Sequence, residues 1–230
     1  MSEVLPLADD ALVLSHRLAE WAGHAPVLEE EVALANLALD LLGQARALYG
    51  LVGDEDELAF LREERAFRNA QLTEQPNGDF AHTIARQLYF STYQELLYAR
   101  LAPGAGDLAA IAAKALSEVA YHRDHAVTWT LRLGDGTDAS HARMQRAADA
   151  LWRYTGELFH PVVSGVDYPA LHAAWTARVS AVLTEATLTV PATSPRRAGG
   201  LGRDGVHTEP FGRMLAEMQH LHRSHPGASW

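Results

Sequence analysis

The chain has 230 residues, a net charge of −10 with histidine neutral, and no cysteine. This length fits one large domain, and the lack of cysteine excludes disulfide frameworks, iron–sulfur clusters and cysteine nucleophiles. The acidic balance argues against a nucleic-acid face, and no apolar run approaches the ~20 residues of a membrane span, so we expect a cytoplasmic protein.

Apolar residues recur along the chain with the 3.6-residue period of α-helices, and no alternating strand pattern interrupts them. Asp9 or Asp10 is the expected cap of the first helix, and the second helix is apolar on nearly every side, which is typical of a buried central helix. A loop of about 20 residues precedes the last helix. Helices are predicted over 10–24, 27–52, 54–68, 80–101, 107–133, 140–159, 169–188 and 211–222, with the long loop at 189–208. The pattern predicts an all-α protein with a single domain over residues 1–230, a bundle of four long helices with additional helices.

A glycine-rich segment inside the long loop matches the dinucleotide-binding fingerprint Gly-x-Gly-x-x-Gly. Residues 200–205 read Gly-Leu-Gly-Arg-Asp-Gly. That motif binds a pyrophosphate only when a strand precedes it within a βαβ unit. Because no strand is predicted, we interpret these residues as loop glycines. Arg196, Arg197 and Arg203 could meet an anionic group, but we expect them to be solvated in a loop.

Histidines and carboxylates raise the question of a metal site, since the chain contains 12 histidines and 29 acidic residues. His122 lies in the middle of the clearest apolar stripe, with Glu118 one turn before it. Asn36, Asp40 and Gln44 form a polar row on the second helix, and Glu20 lies near the end of the first. A di-iron or di-manganese centre in a helical bundle uses a Glu from each of two helices and a Glu-x-x-His from each of the other two.

The spacing of these residues argues against a complete metal centre. Three residues before His122 stands Val119 rather than Glu, and Glu118 is four residues before it. None of the long predicted helices contains a Glu-x-x-His pair; Glu217 and His220 have this spacing, but they lie on the short terminal helix. The pattern therefore favours a metal-free bundle in which the polar groups bond to one another, although a degenerate or self-sufficient metal site stays open at this point.

Several long segments resemble the PaaC family, the structural subunits of bacterial phenylacetyl-CoA epoxidases. They are WAGHAPVLEEEVALANLALDLLGQAR (21–46), EQPNGDFAHTIA (74–85), GDGTD (134–138) and HTEPFGRMLAEMQ (207–219). The resemblance covers nearly the whole chain. It implies a ferritin-like fold and membership of a multicomponent monooxygenase that epoxidises the aromatic ring of phenylacetyl-CoA. It also implies that the di-iron site belongs to a sister subunit, PaaA.

The same resemblance assigns this chain's counterparts of the sister subunit's metal ligands. A glutamate and a histidine remain, whereas apolar or amide side chains replace other ligands. The degenerate positions are Glu20, Asp40, Leu41, Gln44, Glu118, Val119 and His122. The resemblance does not place the third helix's carboxylate, for which that helix offers Glu95.

Together these observations predict a non-catalytic subunit of the monooxygenase complex, with no catalytic residue and no cofactor of its own. The expected partners are PaaA, the small subunit PaaB and the reductase, in a hetero-oligomer that contains a homodimer of this chain. The 189–208 loop and the terminal segment, including Trp230, are hypothesised to contact other subunits. Two alternatives stay open: a self-sufficient di-iron or di-manganese oxidase using Glu20, Asp40, Glu118 and His122, and a CoA-thioester-binding module.

Overall fold

The protein is all-α, as predicted, and agrees with a ferritin-like helical bundle. The computed structural model describes residues 3–192 and 200–228, and these ranges contain no β-strand. None of the helices in these ranges combines the length and the hydropathy needed to span a membrane. The α-helices are α1 (Leu5–Ala19), α2 (Leu28–Tyr49), α3 (Phe80–Leu101), α4 (Asp107–Gly134), α5 (Asp138–Trp152), α6 (Tyr168–Glu185) and α7 (Glu209–Ser224).

These helices group into two compact units. Unit 1 contains α1, α2 and α7, from residues 3–76 and 200–228. Unit 2 contains α3 to α6, from residues 77–192. Unit 1 is therefore made of two separate stretches of chain, whereas unit 2 is one continuous stretch.

In unit 1 the fully buried helix is α1, which packs along α2. Almost every residue of α1 from Leu7 to Leu18 is buried, and Ser15 Oγ donates a 2.8 Å hydrogen bond to the Ala38 carbonyl of α2. The prediction that the second helix is a buried central helix is wrong, because α2 leaves Leu28, Val32 and Leu39 exposed. The α2 helix is thus apolar on two faces, and only one of them packs against the core.

The first helix begins five residues earlier than predicted, so Asp9 and Asp10 are not its caps. Val4 is the N-cap and Pro6 lies in the first turn, a position where the missing N–H of proline costs no helical hydrogen bond. The helix also ends at Ala19 rather than His24. Asp9 and Asp10 are therefore buried inside α1, where their carboxylates need partners.

The predicted helix over 54–68 is also wrong. This segment forms one π-helical turn, Glu57–Leu61, and one 3₁₀ turn, Glu64–Ala66. Side chains of α7 donate hydrogen bonds to the carbonyl groups of this segment. Gln219 donates to Ala59 O and Arg62 O at 3.1 and 2.9 Å, and Arg223 donates to Phe60 O at 3.0 Å. These side-chain donors satisfy carbonyl groups that helical amides would otherwise satisfy. Tertiary hydrogen bonds therefore take the place of a regular helix in this segment.

Unit 2 is organised around α3, which packs against α4, α5 and α6. Asp79 caps α3 by accepting from the His82 amide at 2.9 Å. Tyr89 of α3 packs edge to face against both Trp152 of α5 and Trp175 of α6, and Trp175 Nε1 donates to the Tyr89 carbonyl at 2.9 Å. The helix predicted over 140–159 stops at Trp152, and a separate 3₁₀ turn, Thr155–Phe159, follows it.

Candidate functional site

Four of the degenerate metal-site positions lie in unit 1, and they differ in burial. Glu20 is the C-cap residue of α1, and its carboxylate accepts from Arg17 Nη1 at 2.8 Å with over a third of the side chain exposed. On α2, Leu41 and Gln44 are buried and Asp40 is half-buried. The polar row predicted through Asn36, Asp40 and Gln44 thus runs from an exposed end to a buried end. Glu20 is engaged by its own helix.

The other three positions lie on α4 in unit 2. Val119 and His122 are completely buried, and Glu118 is half-buried. The middle of the predicted apolar stripe is confirmed, since Ala115, Val119, His122 and Ala126 are all buried. His122 therefore lies on the buried face of α4, as its place in the stripe predicts.

The residues at these positions do not fit a di-iron centre. Such a centre needs four carboxylates and two histidines, but the buried Leu41 and Val119 side chains carry no donor atom and Gln44 offers only a neutral amide. Within the described ranges, no group of three or more His, Asp or Glu residues is arranged to hold a metal ion. We therefore derive no redox step at these positions.

Sequence reasoning missed a network of buried carboxylates in unit 1, of which Asp9 is the first. Asp9 accepts a 2.5 Å hydrogen bond from Tyr49 Oη and a 2.7 Å bond from the Arg68 amide, and it forms an ion pair with Arg62. Burial, together with the nearby Asp9 charge, raises the pKa of Tyr49 well above its ordinary value. The phenol consequently stays protonated and remains a donor to Asp9.

The second carboxylate of this network, Asp10, binds two distant parts of unit 1. It accepts from the Ala70 amide at 2.7 Å and from Arg203 Nη2 at 2.7 Å. Both charged side chains are only 2% exposed. Arg203 also donates to the carbonyls of Pro6 and Arg68 at 3.1 and 2.9 Å. Asp10 and Arg203 therefore form a fully buried ion pair between α1 and the residues that precede α7.

The third carboxylate, Glu74, makes a similar connection through histidine. His207 Nδ1 lies 2.7 Å from Glu74 Oε2, its Nε2 lies 3.2 Å from the Phe67 carbonyl, and both side chains of the pair are fully buried. The Thr208 amide donates to the other Glu74 oxygen, while the main-chain carbonyl of Glu74 accepts from Arg17 Nη2 at 2.7 Å. The same glutamate thus orders the start of α7.

The network's chemistry is structural, because each carboxylate is occupied by donors from the chain itself. Asp9, Asp10 and Glu74 together hold the segment 62–76 and the segment 200–210 against α1. One sequence signal could have indicated it: two adjacent aspartates occur within an otherwise apolar helical stretch, where a buried charge requires a specific partner.

The described part of the long loop packs tightly within unit 1. A Cβ on Gly202 would overlap the Asn69 carbonyl oxygen, and Gly205 has φ +79° at a position where a Cβ would overlap the Arg65 carbonyl oxygen. The absence of a strand in the described ranges confirms that these glycines belong to no βαβ unit. The prediction that Arg203 is solvated is wrong, because Asp10 binds it in the interior. Arg196, Arg197 and Trp230 lie outside the described residues.

Comparison with known proteins agrees with the resemblance carried by the sequence segments. Residues 1–230 match the family model PaaA_PaaC, described as "Phenylacetic acid catabolic protein". The C-type subunit of the 1,2-phenylacetyl-CoA epoxidase of Escherichia coli K12 is 50% identical over 242 residues, which cover 98% of this chain and 97% of the relative. The chain belongs to the PaaA_PaaC family of phenylacetic acid catabolic proteins.

Proposed function

We propose that this protein is the non-catalytic C-type subunit of a multicomponent phenylacetyl-CoA epoxidase, acting in aerobic phenylacetate catabolism in the cytoplasm. The observation that carries the proposal is the 50% identity to the C-type subunit of the E. coli epoxidase over nearly the full length of both chains. Because the aligned region includes both units, the whole chain, rather than one shared segment, corresponds to that relative.

The proposal that this subunit is non-catalytic and metal-free is supported by its donor set. Carboxylate ligands would have to stand where Leu41 and Val119 are buried, and the remaining glutamate, Glu20, already accepts from Arg17. In the complex we propose, the di-iron centre belongs to PaaA, and PaaB and the reductase complete the system. This chain, as a homodimer within the hetero-oligomer, supplies a rigid helical scaffold for PaaA.

The test is reconstitution with the other subunits of the same organism. The tagged chain is co-expressed with its PaaA, the complex is isolated, and phenylacetyl-CoA consumption is measured with PaaB, reductase and reduced nicotinamide cofactor. We expect the chain to co-purify with PaaA and neither protein alone to support turnover. Turnover by this chain without PaaA would refute the non-catalytic assignment, and failure to co-purify would refute the structural one.

Elemental analysis provides an independent readout on the purified chain. We expect far less than one iron or manganese per chain after expression in metal-rich medium, because the ligand positions lack donors. Close to two metal ions per chain would instead support a self-sufficient oxidase. A calorimetric titration with phenylacetyl-CoA then distinguishes the structural subunit from a CoA-thioester-binding module, which would bind with micromolar affinity without PaaA.

A further inference from the structure

The exposed side of α2 carries an apolar row that the described part of the chain leaves exposed. In the described ranges, six of the ten large hydrophobic residues that are exposed lie between positions 27 and 52. On α2 itself Leu28 is 73% exposed, Val32 54% and Leu39 63%. Isolated exposed apolar residues are common on soluble proteins, but a contiguous row of them marks an interaction surface.

These residues share one helical face with small ones. We define the α2 stripe as Leu28, Val32, Ala35, Leu39, Gly43 and Ala47, all of which are exposed. Their spacing alternates between three and four residues at first and then continues in fours, which keeps them in one row. Another helix can pack along such a row. The large side chains contact it at one end, and the small residues at the other end let the two helix backbones come closer together.

The dimensions of the α2 stripe suit the centre of an interface. A helix of 22 residues is about 33 Å long, and a strip about 10 Å wide along it covers roughly 300 Å². A stable interface buries about 800 Å² on each partner. The stripe therefore supplies the apolar core, and the polar residues beside it supply the rim.

The charges beside the stripe identify the kind of partner. Residues 27–57 contain eight carboxylates and one basic residue, Arg46. Arg46 is itself engaged by Glu55 through two hydrogen bonds of 2.9 Å. The carboxylates concentrate at both ends: Glu29 and Glu31 lie beside the first residues of the stripe, and residues 54–57 follow its last residue, whereas Glu30 is buried. A complementary surface is consequently apolar along its middle and carries Lys or Arg at its two ends.

This charge distribution argues against a second copy of the chain as the occupant. If two copies paired through the stripe with α2 helices antiparallel, Glu29 and Glu31 of one copy would face residues 54–57 of the other. If the helices were parallel, each acidic end would face its own equivalent. Both arrangements bring like charges together, which disfavours association.

We infer that the α2 stripe is the docking surface for a helix of the A-type sister subunit, an inference that rests on the proposed function. The family model carries the names of both PaaA and PaaC, so the A-type subunit belongs to the same family. The partner's helix presents an apolar row flanked by basic residues. The stripe is buried only in the complex, which explains why α2 is apolar on a side that the chain leaves uncovered.

The test is a matched pair of double variants. Val32→Gln/Leu39→Gln removes two large apolar groups from the stripe, while Leu61→Gln/Leu221→Gln makes the same kind of change at two residues that are 51% and 50% exposed elsewhere in unit 1. Glutamine keeps helix propensity, so circular dichroism and the melting temperature should stay near those of the wild type for both. Affinity for the A-type subunit is then measured with purified proteins.

We expect the stripe variant to raise Kd about 100-fold, since burying each Leu or Val side chain contributes a factor of roughly ten or more. The Leu61→Gln/Leu221→Gln variant should change Kd less than about threefold. In addition, Glu29→Lys/Glu31→Lys should weaken binding at low salt, because it places like charges at the partner's basic end. Equal affinity of the stripe variant and the wild type would overturn the inference while leaving the proposed function intact.

Two further outcomes are decisive. If the wild-type chain shows no affinity for the A-type subunit, the proposed function fails and the inference fails with it. If the chain alone forms a dimer that Val32→Gln/Leu39→Gln dissociates, a second copy occupies the stripe and the assignment to the sister is wrong. A loss of affinity confined to the Leu61→Gln/Leu221→Gln variant would place the interface at α7 and its neighbouring turn instead.

Discussion

Replacement of Arg203 by Met tests whether the buried ion pair with Asp10 holds unit 1 together. The substitution keeps a long, flexible side chain but removes the guanidinium group. Asp10 then keeps its 2.7 Å bond from the Ala70 amide and loses the 2.7 Å bond from Arg203. Because both side chains are only 2% exposed, water cannot replace the lost donor. We expect a large loss of stability.

The magnitude follows from the environment of the pair. Removing one partner of a buried ion pair typically costs 3–5 kcal/mol, so we expect about 4 kcal/mol. A domain is stable by roughly 5–15 kcal/mol in total, and each kcal/mol shifts Tm by about 2–4 °C at this chain length. Arg203→Met should therefore lower Tm by roughly 8–16 °C, measured by circular dichroism, with urea unfolding giving the free-energy change.

A surface pair provides the matched control. Arg213 and Glu209 are 3.1 Å apart with side chains 82% and 83% exposed, and exposed pairs contribute little. Arg213→Met should therefore change the unfolding free energy by less than about 0.5 kcal/mol. The double variant Asp10→Leu/Arg203→Met should also cost clearly less than the sum of its single changes. If Arg203→Met were as harmless as Arg213→Met, the structural role assigned to the buried pair would be wrong.

Three further predictions concern single positions. Gly202→Ala should cost about 2–3 kcal/mol, because the new methyl group would meet the Asn69 carbonyl, whereas Gly43→Ala, with nothing nearby, should raise Tm slightly. Asp79→Ala should cost about 1 kcal/mol in urea unfolding, because α3 loses its 2.9 Å cap. Burial lowers the pKa of His16, so the unfolded chain binds more protons and stability should fall as pH drops below about 6.5.

Each of these three has an outcome that contradicts it. An unchanged Tm for Gly202→Ala would mean that the loop moves away from Asn69 at little cost. Equal unfolding midpoints for Asp79→Ala and the wild type would show that the cap contributes nothing. For His16, the comparison is with His16→Gln between pH 7 and pH 5: the variant should lose less stability than the wild type, and parallel curves would refute the assignment.

The accuracy of the sequence predictions depended on whether local or distant contacts decide the structure. The helix predicted over 80–101 agrees with α3 at both ends, because Asp79 caps it locally and Pro103 and Gly104 follow it. The segment 54–68 has helical spacing but is bound by Gln219 and Arg223, more than 150 residues away in the chain. No local pattern indicates that α7 supplies these donors.

The same distinction applies to the candidate site. The place of His122 in an apolar stripe correctly predicted its complete burial, because helical periodicity is a local property. The prediction that α2 is a buried central helix was wrong, since composition alone cannot distinguish a face buried in the core from one left exposed. The partners of Asp10 and Glu74 were missed because they are distant in the chain. Arg203 and His207 come from a segment that reads as an ordinary glycine-rich loop.

The division of unit 1 into two stretches of chain has a consequence for the order of folding during synthesis. Residues 3–76 leave the ribosome with Asp10 and Glu74 but without Arg203 and His207, which emerge about 130 residues later. At 5–20 residues per second, this interval is on the order of ten seconds. During that time Asp10 would have to be buried without Arg203, and Glu74 without His207, whereas unit 2 is complete once residue 192 has emerged. Nascent chains should therefore acquire protease resistance first in their middle, and the N-terminal helices should become resistant only after the C-terminal segment is released.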